Sequence, residues 1–541
     1  MLDDHTGDQS APDVGPPTFH LLSAAVFLLA VALAAFLRFY LIGIKPLHHD
    51  EGVNSHFLLA LYNQGQYTYN PENYHGPTLY YFALVSLYGL GKTELALRFW
   101  PALWGLLSVL SLWPLRRRLG QVGTPVAALL IALSPGLVYF SRDFIHESSF
   151  GFFSLAMVVC AWCYVETKRF LYLALLAASA GLLFATKETA IITAVVIVLA
   201  AICAEVWDLG RQLIAEHRFS VGTLLREIWR EWRDAWPRFD PLLAAIVIFL
   251  FINVVFYSSI FTHWEGVLDA GKSVLMWTKR GVTEHIHDHA YHYYLGLLFK
   301  LELPLLVGTL LGIIVALWRG TRFGLFLMAW TIGIILGYSL IPYKTPWLIV
   351  SMLVPCALLS GYAAQKISAL LRSDSLRMIG AALLIAILIP CGRLAWRVNF
   401  EKPDDNDNKS GYFVPLGERL KLMAYTNGQY GGYVYAQTDK DILNLVRAID
   451  EAAERRLTGK STGIYIASTD YWPLPWYLRD YTGVAYVGSL PVDGQSNSMA
   501  QPIIIGEDDE QEAIEKMIGP NFQSSTFILR PGVNLILYVR E

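Results

Sequence analysis

Charge is what this chain of 541 residues has least of: Asp, Glu, Lys and Arg make up 16% of it, against 54% hydrophobic residues. That balance lies outside the range of water-soluble domains, and it supplies more apolar surface than one core can bury, so the chain reads as a membrane protein. Its net charge is only −3, and its basic residues fall in short clusters with no long patch, which gives no sign of a nucleic-acid partner. Cysteine is scarce too. Cys160, Cys163, Cys203, Cys356 and Cys391 all sit in or beside apolar segments, so no disulfide framework is implied. The CxxC spacing of Cys160 and Cys163 inside an apolar helix reads as packing, not as a redox or metal pair. The opening MLDDHTGDQSAPDVGPP lacks the basic segment of a cleaved leader, so the apolar run behind it is expected to remain as a helix. No GxxxxGK[ST] loop and no obvious inverted repeat of the apolar runs occur, which speaks against a nucleotide-driven or repeat-built transporter.

What is present is a series of apolar windows. Crossing ~30 Å of hydrocarbon takes about 20 mostly apolar residues. Eleven windows qualify, near 20–44, 96–114, 122–141, 149–166, 170–186, 190–207, 241–261, 295–317, 323–341, 346–364 and 377–396. Arg116 to Arg118, Lys168 and Arg169, the stretch from Arg211 to Arg238, Arg319 to Arg322, and KISALLRSDSLR fall at alternate turns, so that side is expected to be cytoplasmic. The expected division is a cytoplasmic tail over 1–18, a transmembrane domain over 19–398 with outer loops 45–95 and 262–294, and an extracytoplasmic domain over 399–541.

With that orientation the polar motifs HHDEG, YHGPT, SRDFIHESS, ATKETA, EHIHDHAYHYY and PYKTPWL all land on the outer side, where ionisable residues near hydrocarbon mark sites. Asp50 and Glu51 follow a long apolar helix that carries Arg38 three turns earlier. Carboxylates there can orient or deprotonate a hydroxyl or hold a divalent cation; alternatively they cap an interfacial helix running to about Tyr62. In SRDFIHESS, Arg142 and Glu147 can form an internal ion pair, or Arg142 can take a phosphate while His146 and Glu147 take a metal or the acceptor. Lys187 and Glu188 in ATKETA, and Lys344 between Pro342 and Pro346, add cations suited to a phosphate; a neighbouring ion pair is the alternative for Lys187. His285, His287, His289 and His292 alternate as no closed zinc site does, and read as an outer loop lidding the cavity.

An Arg-aromatic pair in LRFY, PLHHDEG a dozen residues on, SRDFIHES and a late YKTPW together resemble the GT-C superfamily of membrane glycosyltransferases. Relatives include the protein O-mannosyltransferases and the aminoarabinose transferase of lipid A. With WPLPWYLRDY added (Trp472 to Tyr481), the chain is most similar to the prokaryotic flippase-activity-associated proteins of archaeal N-glycosylation. The resemblance implies a sugar taken from a polyprenyl-phosphate donor on the outer face and passed to a protein, glycan or lipid acceptor, with Asp50 as base or metal ligand and Glu51 beside it. Donor phosphate is then expected on Arg142, Lys187, Lys344 and Tyr343. Substrate or acceptor contacts are expected from His49, His75, His146, Glu188 and Trp347. A divalent cation, Mg or Mn, is expected on Asp50, His146 and Glu147, although no DxD pair stands in the second outer loop. A transporter or flippase, or a non-catalytic partner for lipid-linked sugars, is the alternative.

The polar linker EKPDDNDNKSG opens the tail. Runs such as YVYAQ, GIYIAS, PIIIG and NLILYVR alternate with helical DKDILNLVRAIDEAAERR and DDEQEAIEKMI, which predicts a small α/β domain with partly parallel strands. TDYWPLPWYLRDY is expected at a strand end, where its aromatics can stack on sugar rings or serve as core. The expected fold is therefore an α-helical polytopic membrane protein of about eleven transmembrane helices, with a C-terminal extracytoplasmic α/β domain, in the cell (inner) membrane.

Overall fold

Every one of the eleven apolar windows becomes helix. A computed structural model describes residues 17–72, 75–283, 288–401, 433, 437–490 and 501–541. The helices run α1 Pro17–Phe39, α2 His49–Gln64, α3 Thr78–Leu90, α4 Glu94–Leu110, α5 Arg116–Leu133, α6 Pro135–Phe140, α7 Glu147–Thr167, α8 Phe170–Phe184 and α9 Ala190–Ala215. They continue with α10 Val221–Ala235, α11 Phe239–Tyr257, α12 Glu265–Thr283, α13 Tyr293–Leu301, α14 Leu303–Arg319, α15 Arg322–Leu340, α16 Val350–Leu370 and α17 Asp374–Trp396. Among the described residues, seven helices are individually long and apolar enough to span a membrane, and α13 with α14, bent by 113° at Glu302, makes an eighth. The other windows form shorter or interrupted helices. α8 has 15 residues, α4 carries Arg98, and α5 carries three arginines and a kink at Gly120.

The break between α5 and α6 explains the buried Arg38. Pro135 has no N–H to give Ile131, and the Gly136 N–H goes to Glu302 Oε1 at 2.7 Å instead of back to Ala132. Arg38 takes over both freed carbonyls, donating to Ile131 O at 3.0 Å and Ala132 O at 3.4 Å. The basic connections meet one another on one side of the bundle. Arg118 pairs with Glu166, Lys168 donates to the last carbonyls of α10, and Arg322 pairs with Glu231. The motif-bearing loops lie at the other ends of these helices.

The tail follows as α18 Asp441–Arg455, β1 Gly463–Ile466, α19 Leu474–Tyr477, β2 Gly483–Tyr486, β3 Ile503–Glu507, α20 Gln511–Ile518, β4 Phe522–Arg530 and β5 Val533–Arg540. The sheet order is β2-β1-β3-β5-β4. β1 pairs parallel with β2 (Ile464 opposite Val484) and with β3 (Ile464 opposite Ile503), while β5 runs antiparallel to β3 and β4. α18 presents Ile442, Leu445, Ile449 and Ala452 at helical spacing, and these pack on Ile464, Ile466, Ile503 and Ile505. Much of the linker, residues 402–411, and residues 434–436 of the expected strand YVYAQ lie outside the described residues.

Candidate active site

The geometry starts from how α2 begins. His48 is its N-cap: Nδ1 accepts the Asp50 N–H at 3.2 Å, and the Glu51 carboxylate reaches back to accept the His48 N–H at 2.9 Å, closing a capping box. Glu51 is fully buried, and both of its oxygens are used further. Arg98 donates from Nε to Oε1 and from Nη2 to Oε2, each at 2.7 Å, and the Phe144 N–H reaches Oε1 at 2.7 Å. Burial pushes the Glu51 carboxyl up, but the Arg98 guanidinium outweighs it and holds the pKa down at about 2. Arg98 also ties down the preceding turn through the carbonyls of Ile42, Lys45 and Pro46. Glu51, expected to share the chemistry with Asp50, is thus a buried anchor with no oxygen left for a substrate. Asp50 stands one position on the other side of that anchor, about 100° around the helix. It is half-buried, and its carboxylate has no hydrogen bond or ion pair among the described residues.

The tail domain closes over this helix. Tyr477 Oη accepts the Leu47 N–H at 3.0 Å from 430 residues away. A Cβ on Gly52 would lie 2.6 Å from that of Pro473, so only glycine lets the two backbones meet. Trp472 sets its ring near His49 (6.3 Å between centroids) and His56 (5.8 Å). Trp476 is fully buried with Leu58, Leu61 and Tyr80, which is the core role. Asp470 and Arg530 form an ion pair close enough to act electrostatically on His49. Burial lowers the His49 pKa, with Asp50 opposing that shift and His48 and Arg530 adding to it.

Behind α2 the other acids and cations are matched to one another. Lys45 pairs with buried Asp143 and lies 3.8 Å above the Tyr139 ring. Asn54 donates to Phe144 O at 3.0 Å and accepts from Tyr80 Oη at 3.0 Å. Lys187 pairs with Glu147 at 2.7 Å; Glu188 accepts from Tyr69 Oη at 3.2 Å and meets His75 Nδ1 at 2.9 Å; His146 Nε2 bonds Gly76 O at 3.1 Å. His75, His146, Glu147, Lys187 and Glu188 are therefore brought together as one largely buried network.

Two expected phosphate ligands are thereby reassigned. Lys187 is committed to Glu147. Arg142, 1% exposed, does not pair with Glu147: it donates to the carbonyls of Leu37, Arg38, Tyr40 and Leu41 at 2.7 to 3.2 Å, capping the end of α1, and stacks on Phe400. The expected metal set of Asp50, His146 and Glu147 does not converge either. Glu147 belongs to Lys187, and no group of three His, Cys, Asp or Glu side chains comes together among the described residues.

Lys344 sits at the α15–α16 connection. It donates to the carbonyls of His289, Ile341 and Pro342 at 2.5 to 3.4 Å and meets no carboxylate in an ion pair among the described residues. Tyr343, half-buried, bridges to Asp288 through the backbone, and half-buried Trp347 lies on the turn that follows. His289 stacks on Tyr293 at 4.3 Å, while His285 and His287 lie outside the described residues. Sequence reasoning passed over Arg98, Asp470 and Arg530. A lone Arg inside the apolar window 96–114 was the available signal for Arg98.

A family model for dolichyl-phosphate-mannose-protein mannosyltransferases matches residues 74–225. Among curated proteins, none matches the chain in sequence. Solved structures match over nearly its whole length. ArnT from Cupriavidus metallidurans bound to undecaprenyl phosphate has 15% identity and a TM-score of 0.61, over 97% of this chain and 98% of that one. The same protein in its apo state scores 0.58 at 15% identity, over 96% and 98% of the two chains. The apo oligosaccharyltransferase of Archaeoglobus fulgidus scores 0.50 at 12% identity, over 93% of this chain and 71% of its own. The chain shares the fold of ArnT. In this chain α2, the 141–149 loop and the tail domain meet around Asp50, a carboxylate without a hydrogen bond or ion pair among the described residues.

Proposed function

We propose that this chain transfers a sugar from a polyprenyl-phosphate donor to an acceptor hydroxyl, on the membrane face that carries α2 and the tail domain. The observation that supports this reading best is Asp50. The carboxylates around it, Glu51, Asp143, Glu147 and Glu188, are each bound by a cation or a donor, whereas Asp50 is open and unpaired among the described residues. A carboxylate left free in that way suits a general base. Asp50 removes the acceptor proton as the acceptor oxygen bonds to the anomeric carbon, the bond from that carbon to the phosphate oxygen breaks, and polyprenyl phosphate leaves with the electron pair. ArnT, of the same fold, binds undecaprenyl phosphate, which supports that class of donor. Of the expected phosphate ligands, Lys187 is held by Glu147, whereas Arg142 and Lys344 donate to backbone carbonyls and form no ion pair among the described residues; Lys344, with Tyr343 beside it, is the one we assign to the donor phosphate. A divalent cation fits poorly, since Asp50 has no second and third ligand among the described residues, and no step is routed through one. The basic connections on the opposite face support an extracytoplasmic site in the cell membrane.

The test is reconstitution of the whole chain in lipid with synthetic undecaprenyl-phosphate hexoses. Release of undecaprenyl phosphate coupled to a glycosylated acceptor, unaffected by EDTA, is expected. Movement of the lipid across the bilayer without release would instead make the chain a transporter.

A further inference from the structure

The tail domain carries a feature that Asp50 does not explain. Its three parallel strands all end on the edge that docks on α2: β1 runs into Ser468, β2 ends at Tyr486 and β3 ends at Glu507. The chain leaves β1 toward β2 on one side and leaves β3 toward the other, so the gap between β1 and β3 is a point where strand order reverses, the place where open sheets of this kind bind ligands. The gap is polar. Ser468 Oγ donates to Glu507 Oε1 at 2.5 Å, and the Asp470 N–H donates to Ser468 Oγ at 2.9 Å, which holds the Asp470 backbone at the edge.

From there a line of half-buried rings leads toward the first outer helix. Tyr486 to Tyr471 is 5.1 Å between centroids at a 43° tilt, and Tyr471 to Trp472 is 5.2 Å at 38°. Trp472 then meets His49, the neighbour of Asp50. Alongside the rings, Asp470 offers a carboxylate that is 36% exposed, matched to the Arg530 guanidinium.

We infer that this ledge, Tyr471, Trp472 and Tyr486 with Asp470 and Arg530, is the acceptor subsite and that the acceptor it takes is a sugar ring, the inference resting on the glycosyltransferase reading above. The chemistry selects that class. A pyranose has an apolar C–H face for an aromatic ring and an edge of neighbouring hydroxyls for a carboxylate and a guanidinium. A phosphate-bearing acceptor is disfavoured, because Arg530 is already balanced by Asp470. An extended peptide would be expected to pair with the side of a strand, and the ledge lies at strand ends instead. A sugar seated there is next to His49 and therefore within a residue of the proposed base.

The experiment uses the full chain in nanodiscs and a panel of methyl hexosides as probes, with binding read by saturation-transfer NMR and transfer read from undecaprenyl-phosphate hexose. Glycoside binding is expected, weakened at least tenfold in Tyr471→Ala and retained in Tyr471→Trp. Tyr471→Ala should likewise raise the acceptor KM, and Tyr471→Trp should leave it near the native value. If no hexoside binds, if Tyr471→Ala and Asp470→Asn bind as the native chain does, or if Ser/Thr peptides are glycosylated and hexosides are not, the ledge is not an acceptor-sugar site. Binding without any release of lipid phosphate would overturn the enzyme reading and leave the ledge standing, whereas release without binding does the reverse. Tyr471→Trp guards against misfolding, since it keeps a ring in place.

Discussion

Replacing Glu51 by Gln would leave the Arg98 guanidinium buried with no charge to answer it, since both of its contacts to Glu51 are at 2.7 Å and both side chains are closed to solvent. Breaking a buried pair from one side costs about 3 to 5 kcal/mol. Asp50→Asn removes a charge that forms no ion pair among the described residues and acts only through space on His49, and it keeps the N–H that His48 caps. The two neighbouring substitutions should therefore give opposite signatures. Glu51→Gln lowers the melting temperature sharply. Asp50→Asn leaves melting unchanged and reduces sugar transfer by ~10² to 10⁴, the contribution of a general base. Thermal unfolding in detergent and transfer rates measured on both variants check this, and an active Asp50→Asn enzyme would remove Asp50 from the chemistry. At this scale the sequence was only half legible. That acids and cations crowd these loops is plain from the motifs, but which acid meets which cation depends on contacts between positions 40 or 47 residues apart, as in Lys187 with Glu147 and Arg98 with Glu51. No local pattern encodes such pairings, and Arg142 shows the limit, because its partners are backbone carbonyls that carry no side-chain signal.

α10 depends on the opposite face for its place. None of its residues is buried, and Val221, Leu225 and Trp229, four apart, are all more than half exposed, the pattern of a helix that lies along a membrane surface. It is held by Lys168 on its last carbonyls and by Arg322, on which Glu231, Glu205 and Asp208 converge at 2.7, 3.1 and 3.5 Å. Arg322→Gln leaves three acids facing one another and should loosen α10 from α9 and α15. The expected readout is new trypsin cleavage at Arg226, Arg230 or Arg233, with the spanning helices intact; an unchanged digest would show that lipid contact alone holds the helix. The spanning helices were legible because their apolar windows are long, whereas α10 lies in a stretch read only as a basic connection. The start of α2 also followed from HDEG, and its end at Gln64 lies two residues past the expected Tyr62. The α5–α6 break at Pro135 and the 113° bend at Glu302 did not, because both fall inside windows that stay apolar throughout.

For the whole molecule, the arrangement of basic connections against motif loops makes a topological prediction. In a Cys203→Ser background, where the remaining cysteines are buried, cysteines at exposed Gln64 and Ser461 should react with an impermeant thiol reagent added outside, and one at exposed Ser373 should not. Reaction at Ser373 with protection at Ser461 would invert the chain. The helical bundle and the α/β tail were both readable, as was the placing of TDYWPLPWYLRDY at the end of β1. Their meeting was not, because a contact spanning 430 residues leaves no mark on composition or period. The contact at Gly52 carries one consequence of its own. Because a side chain there would collide with Pro473, the helix and the tail fit as matched halves of a joint, each shaped for the other. A chimera that borrowed the tail of a related chain would have to bring that chain's counterpart of α2 with it, so the two segments are expected to be inherited and exchanged as one heritable unit despite lying near opposite ends of the polypeptide.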